Sequence, residues 1–164
     1  MASSYTPLGI EKMATGENAG TWGNKTNTNL DLIEQISGGF TQKSIAGGAQ
    51  TTALDITDNG TGDVAGHRMI EFTGTITGNQ IVTIPNDIQN FYILKNSTSG
   101  AYTVQFKYAT GTGDSFTYSA TTKTTKIIFA SGSPDTTNPN LIEVQTGGDV
   151  VDDTSPQLGG DLDT

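Results

Sequence analysis

The chain has 164 residues, a formal net charge of −9 and a pI near 4.2, with 21 glycines and no cysteine. That acidity argues against a phosphate backbone or an anionic membrane surface as a main partner. The lack of cysteine excludes a disulfide framework, thiolate chemistry and a zinc-finger site. Apolar residues make up only 33%. Ordering a residue costs about 1–2 kcal/mol, while burial returns about 25 cal/mol per Å², so a thin-cored domain is expected whose burial is completed by neighbouring subunits.

The first twenty residues, MASSYTPLGIEKMATGENAG, contain no apolar run. They read as neither a signal peptide nor a membrane span, and the product is expected to be made in the cytoplasm. Pro7 and Gly9 break any regular element, which predicts an extended arm ordered by whatever it lies against. A helix follows from Trp22 to Ser37. Trp22, Thr26, Asn29, Ile33 and Ile36 fall at i, i+4, i+7, i+11 and i+14, one helical face, with Leu30 beside it. Thr21 is the expected N-cap, without the Glu or Gln of a capping box. Gly38-Gly39 is the expected stop, in the left-handed conformation that glycine adopts freely. So short a helix is marginal alone in water. Its face must dock, on its own domain or on another chain.

Beyond Gly39 the pattern turns to β. Ile45 and Ala53–Ile56 begin a series of short strand-like runs, followed by turn chemistry at Asp58–Gly62. Met69–Thr77 reads as one strand or two, Gly78-Asn79 as a two-residue hairpin, and Ile81–Ile84 as a strand closed by Pro85. Further strands are predicted at Phe91–Asn96, Tyr102–Tyr108, Ser115–Tyr118, Lys126–Ala130 and Leu141–Val144. No internal repeat of about 20–50 residues is evident. The predicted fold is mainly β: a small antiparallel β-sandwich or barrel module, preceded by the extended arm and one short α-helix. The predicted division is 1–39 for arm and helix, 40–146 for the β-module, and 147–164 for an acidic linker.

Little in this pattern points to chemistry. His67 has no sequence partner that would make it a catalytic base and reads as a turn or surface residue. Asp55, Asp58, Asn59 and Asp63 lie in an oxygen-rich loop, but Gly66 stands where a calcium loop needs a bidentate Glu, so an Asx-rich turn is the better reading. Asp152-Asp153 sits in the linker, without a pocket to make it an acid–base pair. Tyr102, Tyr108 and Tyr118 suit a core better than a sugar-stacking surface. No catalytic, cofactor or metal residue is predicted.

Three stretches resemble known proteins. Gly20–Gly39, GTWGNKTNTNLDLIEQISGG, resembles an N-terminal segment of virion structural proteins of tailed bacteriophages, especially marine ones. Gly74–Gly132 is similar to a β-module of phage tail and fibre proteins, in which a hairpin ending in proline leads to a strand ending Asn-x-Thr-x-Gly, here Asn96-Ser97-Thr98-Ser99-Gly100. That module's closing strand runs into Asp-Gly, for which this chain has Ser131-Gly132. DDTSPQLGGDLDT matches a phrase that opens the shaft of phage tail fibres. The resemblance implies a non-enzymatic attachment region of a tail fibre, located in the virion tail, with 147–164 leading into a shaft. It implies a homotrimer, docked on other tail proteins (adaptor, nozzle or baseplate), with a distal region reaching a host glycan or receptor. No nucleic acid and no membrane insertion are expected. Because the chain stops within the shaft phrase, it is expected to be one piece of a longer fibre. Trp22, Thr26, Asn29, Leu30, Ile33 and Ile36 are the expected interface. The alternatives are a capsid decoration or head-fibre protein, a glycan-binding module and, more distantly, a depolymerase.

Overall fold

A computed structural model describes residues 2–121, 123–132 and 135–144. The linker 147–164, with Asp152-Asp153 and the shaft phrase, lies outside the described residues. The arm folds back on itself as two short antiparallel strands, β1 (Ser4–Tyr5) and β2 (Glu11–Lys12). Helix α1 runs Trp22–Gly38. Then come β3 (Phe40–Ser44), β4 (Gln50–Ala53), a 3-10 turn (Val64–Gly66), β5 (Met69–Thr73), β6 (Gln80–Ile84) and β7 (Gln89–Asn96). β8 (Val104–Tyr108), β9 (Phe116–Tyr118), β10 (Thr125–Ser131) and β11 (Leu141–Glu143) complete the described chain.

The fold is mainly β, as the alternating runs require. A five-stranded sheet, ordered β11-β10-β7-β5-β3, faces a four-stranded sheet, ordered β4-β6-β8-β9. Between them lies one apolar cluster, to which Ile70, Phe72, Tyr92, Leu94 and Ile128 contribute from the first sheet and Val82, Ile84, Val104, Phe106 and Tyr118 from the second. Phe106 sits at its centre, with ring centroids 5.6 Å from Tyr92 and 6.3 Å from Phe72.

The expected antiparallel pairing holds only at the C-terminal end. From β3 to β8 the chain crosses to the opposite sheet after every strand, so it winds as a coil. Strands one turn apart therefore lie parallel: β3 with β5, β5 with β7, β4 with β6, and β6 with β8. Met69 pairs with Ile93 and Gln80 with Val104, each a step of 24 residues. This is a structural repeat where none was evident in sequence. Its positions demand only an inward apolar residue and a tight corner, which many residues satisfy. The first turn is also lengthened by the loop that carries the 3-10 turn, which breaks the register.

The Gly78-Asn79 hairpin is likewise corrected, because β5 and β6 belong to different sheets. Gly78 occupies a corner stacked on the corner below, where a Cβ would lie 2.3 Å from the Ala49 nitrogen. The next corner repeats the device. Gly100 has φ +101°, and a Cβ there would lie 2.1 Å from the Ile76 carbonyl oxygen. Buried Gln80 ties two corners together, its amide donating to the carbonyls of Gly48 (2.7 Å) and Gly78 (2.8 Å). Edge strand β3 carries Lys43 in register with buried Phe72, and a charge at an inward position discourages the addition of a further strand.

The helix ends otherwise than expected. Gly38 is its last residue, and Gly39 is extended (φ −66°, ψ 139°) rather than left-handed. Glycine is needed at 39 for closeness, since a Cβ would lie 2.5 Å from the Gln35 carbonyl oxygen. Thr21 does stand at the N-cap, but its side chain makes no capping bond and donates instead to the Asn18 carbonyl (3.3 Å).

Gly100→Ala combines backbone strain with a clash and is expected to cost more than about 2 kcal/mol. Gly48→Ala, where a Cβ meets nothing within 4 Å, should stay within about 0.5 kcal/mol of the native chain. Urea unfolding of both variants checks the contrast.

Candidate functional site

Helix α1 has two working faces, and they were not separable in sequence. The inward one is mainly polar. Asn29 clamps the backbone of Glu11, its Oδ1 accepting from Glu11 N (2.9 Å) and its Nδ2 donating to Glu11 O (2.9 Å). This imitates a strand pairing with one side chain, and it attaches β2 to the helix. One turn earlier, Lys25 Nζ lies 2.9 Å from Glu11 Oε2, and that carboxylate is almost fully enclosed. Asn18 Nδ2 donates to the other oxygen (3.3 Å). The Lys25 contact holds the Glu11 carboxyl below the usual carboxylate range, against the opposing effect of burial. Leu32 is the helix's one fully buried side chain.

At the C-terminal end of the same face, Gln35 Oε1 accepts from Gly62 N (2.7 Å) and its carbonyl from Arg68 N (3.3 Å). These contacts set α1 on the loop of the 3-10 turn. The turn in turn is fixed to the core by Tyr92, whose hydroxyl donates to the Ala65 carbonyl (2.7 Å). Burial pushes the Tyr92 hydroxyl pKa upward, so it stays a donor.

Of the six predicted interface residues, the structure brings Trp22, Leu30 and Ile33 together on one exposed arc. They are 65%, 57% and 50% exposed, and at 100° per residue they fall within about 80° of the helix circumference. Thr26 lies half-buried beside them, while Asn29 and Ile36 are half-buried on the flank nearer the rest of the chain. Asn29 is thus an internal clamp. The signal for the inward face, Glu11 with Lys25, was an acid and a base fourteen residues apart, and no local pattern links them.

A second apolar surface was missed altogether. On the outer face of the five-stranded sheet, Phe40, Met69, Ile93 and Ile127 stand in register on β3, β5, β7 and β10. Phe91, Phe129 and Ile142 form the next row, on β7, β10 and β11. Phe40, Phe91 and Ile142 are exposed, and Phe91 and Phe129 meet at 6.4 Å. Strands apolar on both sides read in sequence as doubly buried, whereas here one side is open. A polar row borders the patch. Glu71 accepts from Gln42 Nε2 (2.7 Å) and Ser97 Oγ (2.5 Å) and pairs with Lys95 Nζ (2.8 Å). Lys95 foremost, then Ser97 and Gln42, lower its pKa to about 2.

The remaining polar candidates are engaged in structure. His67 Nδ1 lies 2.9 Å from the Asp63 carbonyl oxygen. The Asp63 carboxylate accepts from Thr57 N (2.6 Å) and Oγ1 (2.7 Å), closing the oxygen-rich loop on itself. Among the described residues no group of three or more carboxylate or imidazole side chains could hold a metal, and no helix is long and apolar enough to cross a membrane. Tyr108 and Tyr118 are buried in the core, while Tyr102 is exposed. No protein-family model, curated protein or solved structure matches the chain.

Asn29→Ala removes both bonds to the Glu11 backbone. It is expected to cost about 1–3 kcal/mol and to raise amide exchange in residues 2–20 while the β-core stays protected. Glu11 and Glu71 both titrate below their ordinary value. Their contribution to stability is therefore complete above pH about 4.5 and is lost as pH falls, for Glu71 on passing through about 2. Stability measured by urea unfolding across that range should show the loss, and Glu71→Gln should flatten its lower part.

Proposed function

We propose that this chain is a non-enzymatic structural protein of a tailed-phage virion, forming the attachment region of a tail fibre. In this reading the arm and α1 make the end that joins the tail, the chain assembles as a homotrimer, and the two-sheet module leads towards the host-facing part. The observation that carries it is the exposed arc of Trp22, Leu30 and Ile33 on a helix whose adjoining flank is already fastened to its own chain. A helix held by polar clamps, with bulky apolar groups turned to solvent, is built to be covered by another chain. The tail-fibre phrases around it, GTWGNKTNTNLDLIEQISGG and the Asn-x-Thr-x-Gly strand end, supply the setting.

Trp22→Ala tests the reading, because Trp22 is largely exposed, is no member of the core cluster, and keeps its backbone bond to Asn18 in the variant. The variant is expected to keep its β circular dichroism, to lose the three-chain mass by light scattering, and to be left out of virions. A variant that assembles and enters particles as the native chain does would overturn it. Immunogold labelling is expected at the tail, and label spread over the capsid shell would contradict the tail assignment.

A further inference from the structure

We infer that Lys123 is the end cap of the coil: its ammonium takes the place of a further corner and closes the stack after its third winding. The inference concerns how the β-module is terminated and stands apart from the proposed function.

At one end of the module the corners between strands lie in a column, residues 45–49 after β3, 74–79 after β5 and 97–103 after β7. Main-chain bonds run up the column in steps. Gly47 N donates to the Thr75 carbonyl (3.0 Å) and Thr77 N to the Gly47 carbonyl (2.8 Å). One level higher, Ser99 N donates to the Gly74 carbonyl (3.0 Å) and Ile76 N to the Ser99 carbonyl (2.9 Å). Successive residues therefore face down and up in alternation. Thr75 and Thr77 look to the corner below, Gly74 and Ile76 to the corner above. Ser99 points both its groups downward, so by the same alternation Thr98 and Gly100 face the place where a fourth corner would lie. The chain does not continue the coil there. After β8 it reverses into the antiparallel pairings of β9 and β10, and the connection between those two strands brings Lys123 back over the column.

Lys123 Nζ donates to the Thr98 carbonyl (2.9 Å), to Thr98 Oγ1 (3.0 Å) and to the Gly100 carbonyl. An ammonium has three hydrogens to donate, and three acceptors meet it here. The two carbonyls are the ones that the alternation turns away from the corner below. Lys123 has no carboxylate within ion-pair distance among the described residues, so these oxygens are what hold it. They are fixed in turn by Asn96, whose Oδ1 accepts from Thr98 N (3.1 Å) and Thr98 Oγ1 (2.8 Å), and both residues are buried. The lower end of the column has a neutral counterpart. The Ala46 carbonyl, one residue out of phase with Gly47, accepts from Gln50 Nε2 (2.9 Å). Side-chain nitrogens thus cap both ends of the column, as side chains cap the unpaired groups at helix ends. A stack of repeats needs such ends, because its last main-chain groups otherwise fray or pair with another strand.

Lys123→Met keeps the aliphatic stem and removes the three donors. Amide exchange followed residue by residue is expected to quicken by at least about tenfold at Ser99 and Ile76, less at Gly47 and Thr77, and not at Ile88 and Ala109, whose bonds lie at the opposite corners. Gln50→Leu is expected to reverse the order, with Gly47 and Thr77 affected first. Exchange that rises evenly through the module, or stays unchanged at Ser99 and Ile76, would overturn the inference. A second measurement uses the native chain. Acetylation by an N-hydroxysuccinimide ester, read by peptide mass, is expected to reach Lys123 at least about tenfold more slowly than exposed Lys12, because a fully bonded ammonium must leave its acceptors before it reacts. Equal rates at the two lysines would contradict the cap.

Discussion

The clamp of Asn29 and Lys25 on Glu11 decides what α1 can do. Gln35 and buried Leu32 seat the C-terminal half of the helix on the loop of the 3-10 turn, and the clamp fastens the rest of it to the arm. With the Glu11 backbone gripped at both its N–H and its carbonyl, and its carboxylate enclosed against Lys25, the helix has one rotational setting. The clamp is polar, so it fixes direction without consuming apolar surface. That is why the arm, which buries little of its own, matters to the rest of the chain. Truncating a partner would leave a buried charge or amide unpaired, so the arrangement is retained as a unit.

The coil beneath supplies the platform. Parallel stacking of β3 on β5 on β7 leaves one long connection, between β4 and β5, and that connection holds the 3-10 turn on which Gln35 rests. Tyr92 runs from the core to the Ala65 carbonyl and transmits the rigidity of the sandwich to the turn. The same stacking aligns outer residues into rows across strands, because parallel partners one turn apart repeat the same face. Phe40, Met69, Ile93 and Ile127 are such a row, with the Gln42–Glu71–Lys95 row beside it. An apolar stripe on a sheet face is thus a product of the winding.

How much of this was readable in sequence follows the same physics. Strands β5 to β11 were placed near their observed ranges, because Val, Ile, Phe and Tyr alternate there and Pro85 ends β6. β3 and β4 were not placed, since Phe40–Ser44 and Gln50–Ala53 are mostly polar and owe their conformation to a neighbour in the stack. Parallel pairing was illegible, because Gly78-Asn79 looks alike in a hairpin and in a corner. What distinguishes them is the Ala49 backbone lying against Gly78, a contact between turns of the coil. The helix face was half legible. Its period was correct, but Leu32 faces inward and Asn29 is a clamp, and both depend on an arm whose position no local pattern encodes. The outer sheet patch was hidden because a strand apolar on both faces carries no mark of which face is covered.

Trp22 is the only tryptophan in the chain and is largely exposed in the single copy, so its own fluorescence reports on the central claim that the free face of α1 is an assembly surface. Emission measured as the protein is concentrated is expected to move from the solvent-exposed wavelength towards the blue, with a midpoint that matches the rise in mass by light scattering. An emission maximum that stays at the exposed value while the mass rises would contradict the account.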